Sequence, residues 1–129
     1  KHRDLSERLL WALPAACWLE TDGQFLSVIL NNLLSNAARY GDPQRPVEIA
    51  LEQRAQGVCV AIANAPGLSG WPDERELFSK YYRATGATHL SGAGLGLFLS
   101  RQLAQALGGR LDYAPTDHQV RFTLCLPML

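Results

Sequence analysis

Hydrophobic and polar positions change period several times along this chain, and each change marks an element. Phe25, Ile29, Leu33 and Ala37 recur at every fourth residue, with Leu26, Leu30 and Leu34 beside them. That spacing places them on one face of a helix. Thr21-x-x-Gln24 forms a capping box at its start, and Gly41-Asp42-Pro43 stops it, so a helix is expected over about 22–40. The period then falls to two: Val47, Ile49 and Leu51 alternate with polar neighbours, as do Val58, Val60 and Ile62, and residues 53–57 join the two runs as a hairpin. Pro72-Asp73-Glu74 opens another helix, with acids where the helix dipole favours them; it is expected to reach Tyr82. Residues 84–94 are small, polar and glycine-bearing, which predicts a mobile loop. A second long helix follows over about 95–107 and ends on Gly108-Gly109. Leu111 and Tyr113 alternate, then Val120, Phe122, Leu124 and Leu126, with Pro127 closing the strand. The first twenty residues are less patterned: Asp4–Leu13 allows a helical turn or two before Pro14, and Ala15–Leu19 a short strand.

Strands with one apolar face imply a sheet covered on one side only. With helices as the cover, the prediction is a two-layer α/β sandwich of the α+β kind rather than a doubly wound fold. The 129 residues suit one domain, with 1–19 as linker or first-strand region and 20–127 as core. A chain that begins at Lys1 rather than Met is expected to be a piece of something longer. Twelve basic and twelve acidic residues leave no net charge, so nothing marks the chain as a nucleic-acid or acidic-membrane binder. No apolar run reaches membrane-spanning length. Cys17, Cys59 and Cys125 have no zinc-like spacing. Cys59 and Cys125 lie out of phase with the apolar residues of their strands, and the three are expected to be reduced thiols.

Three stretches carry chemistry. Gly92, Gly94 and Gly96 precede the second long helix, where glycines let backbone N–H groups approach a phosphate and the helix end adds positive potential. The spacing fits neither a Rossmann fingerprint nor a Walker loop. Asn32 and Asn36 are four apart, hence on one helical face, inside an apolar stripe where amides need partners; they read either as satisfied core amides or as a divalent-ion and phosphate site, with Arg39 and Tyr40 one turn on. In LFSKYYRA, Lys80 and Arg83 stand a helical step apart beside Tyr81 and Tyr82.

Together and in this order, these stretches resemble the ATP-binding catalytic domain of sensor histidine kinases, in the GHKL superfamily. NLLSNAARY is similar to that family's N box, LFSKYYRA to its F box, and GAGLGL with the leucines after it to its G2 box. IANAPG, residues 62–67, stands where the G1 box belongs, and Phe122–Pro127 resembles the last strand. The resemblance implies a Bergerat-type fold, with three main helices over a mixed, mostly antiparallel sheet of about five strands. It implies ATP and Mg²⁺ as cofactors. Asn36 would coordinate the metal and Asn32 would support it or its waters. Arg39 would contact phosphate, and Tyr40 would pack near adenine or ribose. Gly92, Gly94, Leu95 and Gly96 would offer backbone amides to the phosphates. Lys80 and Arg83 would neutralise charge at the γ-phosphate, and residues 84–93 would form the ATP lid.

It also implies partners. Members of the family phosphorylate a histidine on a separate helical dimerisation domain and pass the group to a response regulator. None of His2, His89 and His118 fits the acceptor motif, so that domain is expected upstream of Lys1. The isolated piece should be a monomer and the parent a homodimer, most often a membrane-bound bacterial sensor with this domain in the cytoplasm. Relatives that hydrolyse ATP, the gyrase- and MutL-like proteins, carry a Glu as general base where this chain has Asn32; an amide cannot take up a proton at neutral pH. Asn32 therefore favours transfer to an acceptor. Two positions depart from the pattern. The G1 box reads Asn64-Ala65-Pro66-Gly67 instead of Asp-x-Gly-x-Gly, with Gly67 the nearest box glycine and Gly70 a second candidate. Val120 stands where the last strand has Thr. Asn64 retains a carbonyl to accept the adenine proton but loses charge assistance. The alternative is a degenerate nucleotide-binding module that regulates without transferring phosphate.

Overall fold

In the computed structural model, residues 9–12, 23–55, 57–79 and 96–127 are described, the first four as backbone alone. The elements are β1 (Leu9–Ala12), α1 (Gly23–Tyr40), β2 (Val47–Arg54), β3 (Gly57–Asn64), α2 (Gly96–Ala106), β4 (Arg110–Tyr113) and β5 (Val120–Pro127). One sheet contains all five strands in the order β1-β2-β3-β5-β4. β1 runs parallel to β2, and the other three pairings are antiparallel. The architecture is the expected two-layer α+β sandwich with a mixed, mostly antiparallel sheet.

Periodicity decides which faces meet. Ile29, Leu33 and Ala37 of α1 are buried, and Leu26, Leu30 and Leu34 pack at the core's edge. Phe25 belongs to the same four-residue series yet is 37% exposed. Each four-residue step turns about 40° past a full circle, so the series drifts off the core face at its first member. From the sheet, Val47, Ile49, Ile62, Val120, Phe122, Leu124 and Leu126 close the core. α2 contributes Ala104 and Ser100. It stops at a left-handed Gly108 (φ 78°). The N–H groups of Gly108 and Gly109 return to the carbonyls of Gln105 and Ala104, the paired bonds of a Schellman cap.

Three expectations are corrected. Leu9–Ala12, read as a helical turn, is a strand, because it adds to the free edge of β2 in register from Leu9↔Val47 to Ala12↔Ala50. Ala15–Leu19 lies outside the described residues. The helix expected from Pro72 is absent over 72–79, which forms turns, so two helices rather than three stand among the described residues. Asp73 explains this stretch. Its carbonyl accepts from Glu76 and Leu77, and Ser79 bonds Glu76, but one helical turn is too little to propagate. Finally, Cys59 and Cys125 are joined by a disulfide. They are direct partners across the β3–β5 ladder, with Cα atoms 4.1 Å apart. Their shared phase, opposite to the core, is what brings two sulfurs 66 residues apart in sequence to one spot. Cys17 lies outside the described residues.

Candidate functional site

α1 is the spine of the site. Asn32, Asn36 and Tyr40 follow at four-residue intervals along it, about 6 Å of rise per step, and each is half-buried. At the first step α1 meets α2. Asn32 Nδ2 donates to Ser100 Oγ at 3.0 Å and to the Gly96 carbonyl at 3.4 Å. A backbone carbonyl only accepts, so the Gly96 contact identifies the nitrogen side of the amide. Both Asn32 N–H groups then point at α2, and Oδ1 remains as the acceptor. One turn on, no hydrogen bond to the Asn36 amide is found among the described residues.

At the third step α1 meets the end of β3. The Gly41 N–H closes the helix on Ala37 O, Asp42 N donates to Ala65 O, and Gly67 N donates to Tyr40 O, at 3.1, 3.0 and 3.1 Å. Gly41 and Pro66 form an isolated bridge. The fit leaves no room for side chains: a Cβ on Gly41 would stand 2.5 Å from Ala37 O and 2.8 Å from Asn64 Nδ2, and one on Gly67 would stand 2.7 Å from the Tyr40 and Gly41 carbonyls. Gly67 is thus required by its approach to α1. Asn64 is 7% exposed at this seam. Its Nδ2 donates to Ala65 O at 2.9 Å, which again leaves Oδ1 as acceptor. Val120 is its ladder partner on β5, so the two departures in the sequence sit side by side.

The turns after Pro72 are anchored rather than free. Leu77 is 1% exposed within the core. Phe78 packs T-shaped with Phe122, ring centres 6.1 Å apart, and the Arg101 guanidinium lies over the Phe78 ring, 3.8 Å from its centre, a cation–π pair. The Arg75 N–H donates to Asp73 Oδ1 and holds that carboxyl below the usual carboxylate range.

The structure brings Asn32 to Gly96, Gly67 to Tyr40 and Asn64 to Gly41. Arg39 is exposed on α1. Lys80, Arg83, Gly92, Gly94 and Leu95 lie outside the described residues. Two contributors, Ser100 and Gly41, are additions. A serine amid the apolar positions of a helix was the available signal for the first. Gly41 reads from sequence only as a helix stop.

The family model for histidine kinase-, DNA gyrase B- and HSP90-like ATPases matches residues 21–129. The chain belongs to that ATPase family. It is 33% identical over 125 residues to the signal transduction histidine-protein kinase BaeS of Escherichia coli, covering 94% of this chain and 27% of that protein. It is 35% identical over 99 residues to a bacteriophytochrome of Pseudomonas aeruginosa, covering 75% and 14%. In structure it is similar to the mycobacterial sensor histidine kinase MprB, with a TM-score of 0.74, 25% identity, and 95% of this chain and 85% of that chain covered. The catalytic domain of the histidine kinase ThkA shares the fold, at a TM-score of 0.76 and 21% identity over 95% of this chain and 82% of that one. The chain is thus a histidine-kinase-type catalytic ATPase domain of the GHKL superfamily, and it spans about a quarter or less of the curated relatives just described.

The site's chemistry can be tested against MgATP. Among the described residues no three His, Cys, Asp or Glu side chains converge on a metal-sized point. An all-protein cage is therefore not what these residues offer. Mg²⁺ prefers oxygen, keeps several waters and takes the rest of its shell from phosphates. The amides of Asn32 and Asn36 fit that demand. Among the described residues nothing lies closer than Asn32 Cγ, at 3.9 Å, to a Cβ placed on Gly96.

Proposed function

We propose that this domain binds MgATP and donates the γ-phosphoryl group to a histidine on a separate dimerisation and phosphoacceptor domain, in two-component signalling. The observation that carries the reading is Asn32. It is a neutral amide, which cannot take a proton from water at neutral pH, so transfer is favoured over hydrolysis; its N–H groups face α2 and leave Oδ1 as its acceptor.

Asn36 would hold the metal, with Asn32 supporting it or its waters. Bound Mg²⁺ offsets charge on the phosphate oxygens. Arg39 would contact phosphate, as would the backbone amides of Gly92, Gly94, Leu95 and Gly96. Lys80 and Arg83 would neutralise charge at the γ-phosphate. Tyr40 would flank the base or ribose, and Gly67 would line that end. Asn64 Oδ1 would accept from the adenine amino group. This division suits phosphoryl transfer, which needs positioning and charge neutralisation more than covalent help. The acceptor histidine and the response regulator that follows it would be the partners. The parent would be a homodimeric, membrane-bound sensor with this domain in the cytoplasm.

A second reading has its own support. Asn64 and Val120 replace the acid and hydroxyl at adjacent ladder positions, which favours a nucleotide-binding module that regulates without transfer. Two measurements separate the readings: MgATP affinity of this chain, and transfer in a chain extended upstream through the acceptor helix. Millimolar MgATP that fails to bind sinks both. Binding without transfer in a folded, extended chain leaves the second.

A further inference from the structure

Among the described residues the buried polar side chains are two, Asn64 and Ser100, and Ser100 is fully enclosed. A hydroxyl taken out of water is unfavourable unless it is bonded. Alanine would occupy nearly the same space on this face of α2 without that cost, so packing alone does not account for a serine. Its Oγ meets one side chain, the Asn32 amide, at 3.0 Å.

An asparagine amide has two orientations of nearly equal shape, one presenting oxygen and the other nitrogen. For a group that serves a cation or its waters, only the oxygen is useful. The Gly96 carbonyl holds the nitrogen of Asn32 on the α2 side, but at 3.4 Å it is beyond the usual range for a strong N–H···O bond. Ser100 makes the shorter contact. We propose that Ser100 is a positioning residue: the Gly96 carbonyl, which only accepts, sets which way the amide faces, and the shorter Ser100 contact clamps the amide against α2 in that orientation, with Oδ1 as its outward acceptor. The role rests on the MgATP reading above, since it acts through Asn32.

The test is a double-mutant cycle of Ser100→Ala and Asn32→Ala, read by affinity for ATP with Mg²⁺ and with a chelator. Ser100→Ala is expected to weaken MgATP binding about five-fold, the scale of one ordinary hydrogen bond. Metal-free ATP should be little affected, and Ser100→Ala should have no further effect in an Asn32→Ala background. In the nucleotide-free protein the Asn32 side-chain amide resonances should move in Ser100→Ala. Ser100→Cys keeps a polar atom in place of the hydroxyl, somewhat larger and a weaker acceptor, and should lie between; it replaces Ser100→Ala if that variant does not fold. Wild-type protein that binds MgATP while Ser100→Ala weakens it equally with and without Asn32 overturns the positioning role alone, as does an unmoved Asn32 amide. Wild-type protein that binds no MgATP overturns the nucleotide reading, and this role with it.

Discussion

At the scale of single residues, the proposed site rests on three asparagines, and their surroundings separate them. Asn36 has no hydrogen-bond partner among the described residues, so its removal should be harmless to folding. Asn36→Ala is expected to lower MgATP affinity at least about ten-fold, the effect of losing a bond to a charged partner. Its unfolding midpoint should stay within a degree or two of wild type; calorimetric titration and thermal melts check both halves. Asn64 is different, because its nitrogen already faces a carbonyl at 2.9 Å. Asn64→Asp would supply the acid of the G1 pattern that IANAPG resembles, yet it would set a carboxylate oxygen against the Ala65 carbonyl in a buried seam. The nucleotide-free variant should lose about 1–3 kcal/mol of stability, while bound ATP recovers part of it through a charge-assisted bond. Denaturant titration with and without ATP decides this, and a variant as stable as wild type when empty counts against the seam.

At the scale of elements, the end of the site proposed to take adenine is a joint between α1 and the β3 exit, closed by two glycines. A methyl on Gly41 has nowhere to go between Ala37 O and Asn64. Gly41→Ala should therefore destabilise the domain by about 1–3 kcal/mol and also weaken ATP binding, since Asn64 must shift. Loss of stability with unchanged affinity would show that the joint and the base site are independent. The β3–β5 pair has a second tie on the opposite face. A disulfide closing 66 residues of chain contributes up to about 4 kcal/mol through the unfolded state. Reductant should lower the unfolding midpoint of wild type and leave Cys59→Ala unchanged. Free-thiol titration of untreated protein supplies the control: two reactive thiols from this pair would remove the tie.

At the scale of the whole molecule, the proposed reading makes the domain a phosphoryl donor that needs an acceptor on another domain. It spans 27% of BaeS and 14% of the bacteriophytochrome. None of the described helices is long and apolar enough to cross a membrane. His118 is exposed, and neither it nor His2 or His89 has an acceptor's flanking residues. Incubated with γ-labelled MgATP, this chain should retain no acid-labile phosphate. A chain extended through the acceptor helix should become labelled on histidine. Label on the present chain alone would mean that it carries its own acceptor.

Local pattern alone determined much of this protein. The stripe of α1, the alternation of β2 and β5 and the glycine end of α2 were legible because they depend on neighbours three, four or two residues away. The four ordered motifs pointed to the family for a related reason: each is a short run whose chemistry is set by its own spacing. Tertiary structure decided the rest. Leu9–Ala12 is a strand only because β2 offers it an edge. The stretch after Asp73 stays in turns, held by Leu77 and Phe78 against distant residues instead of by its own propensity. Cys59 and Cys125 become partners only through the β3–β5 register, and Ser100 finds Asn32 only where two helices 68 residues apart in this pairing touch. Each of these outcomes depends on contacts between segments remote in sequence. No window of residues contains both halves of such a contact, and so none could predict it.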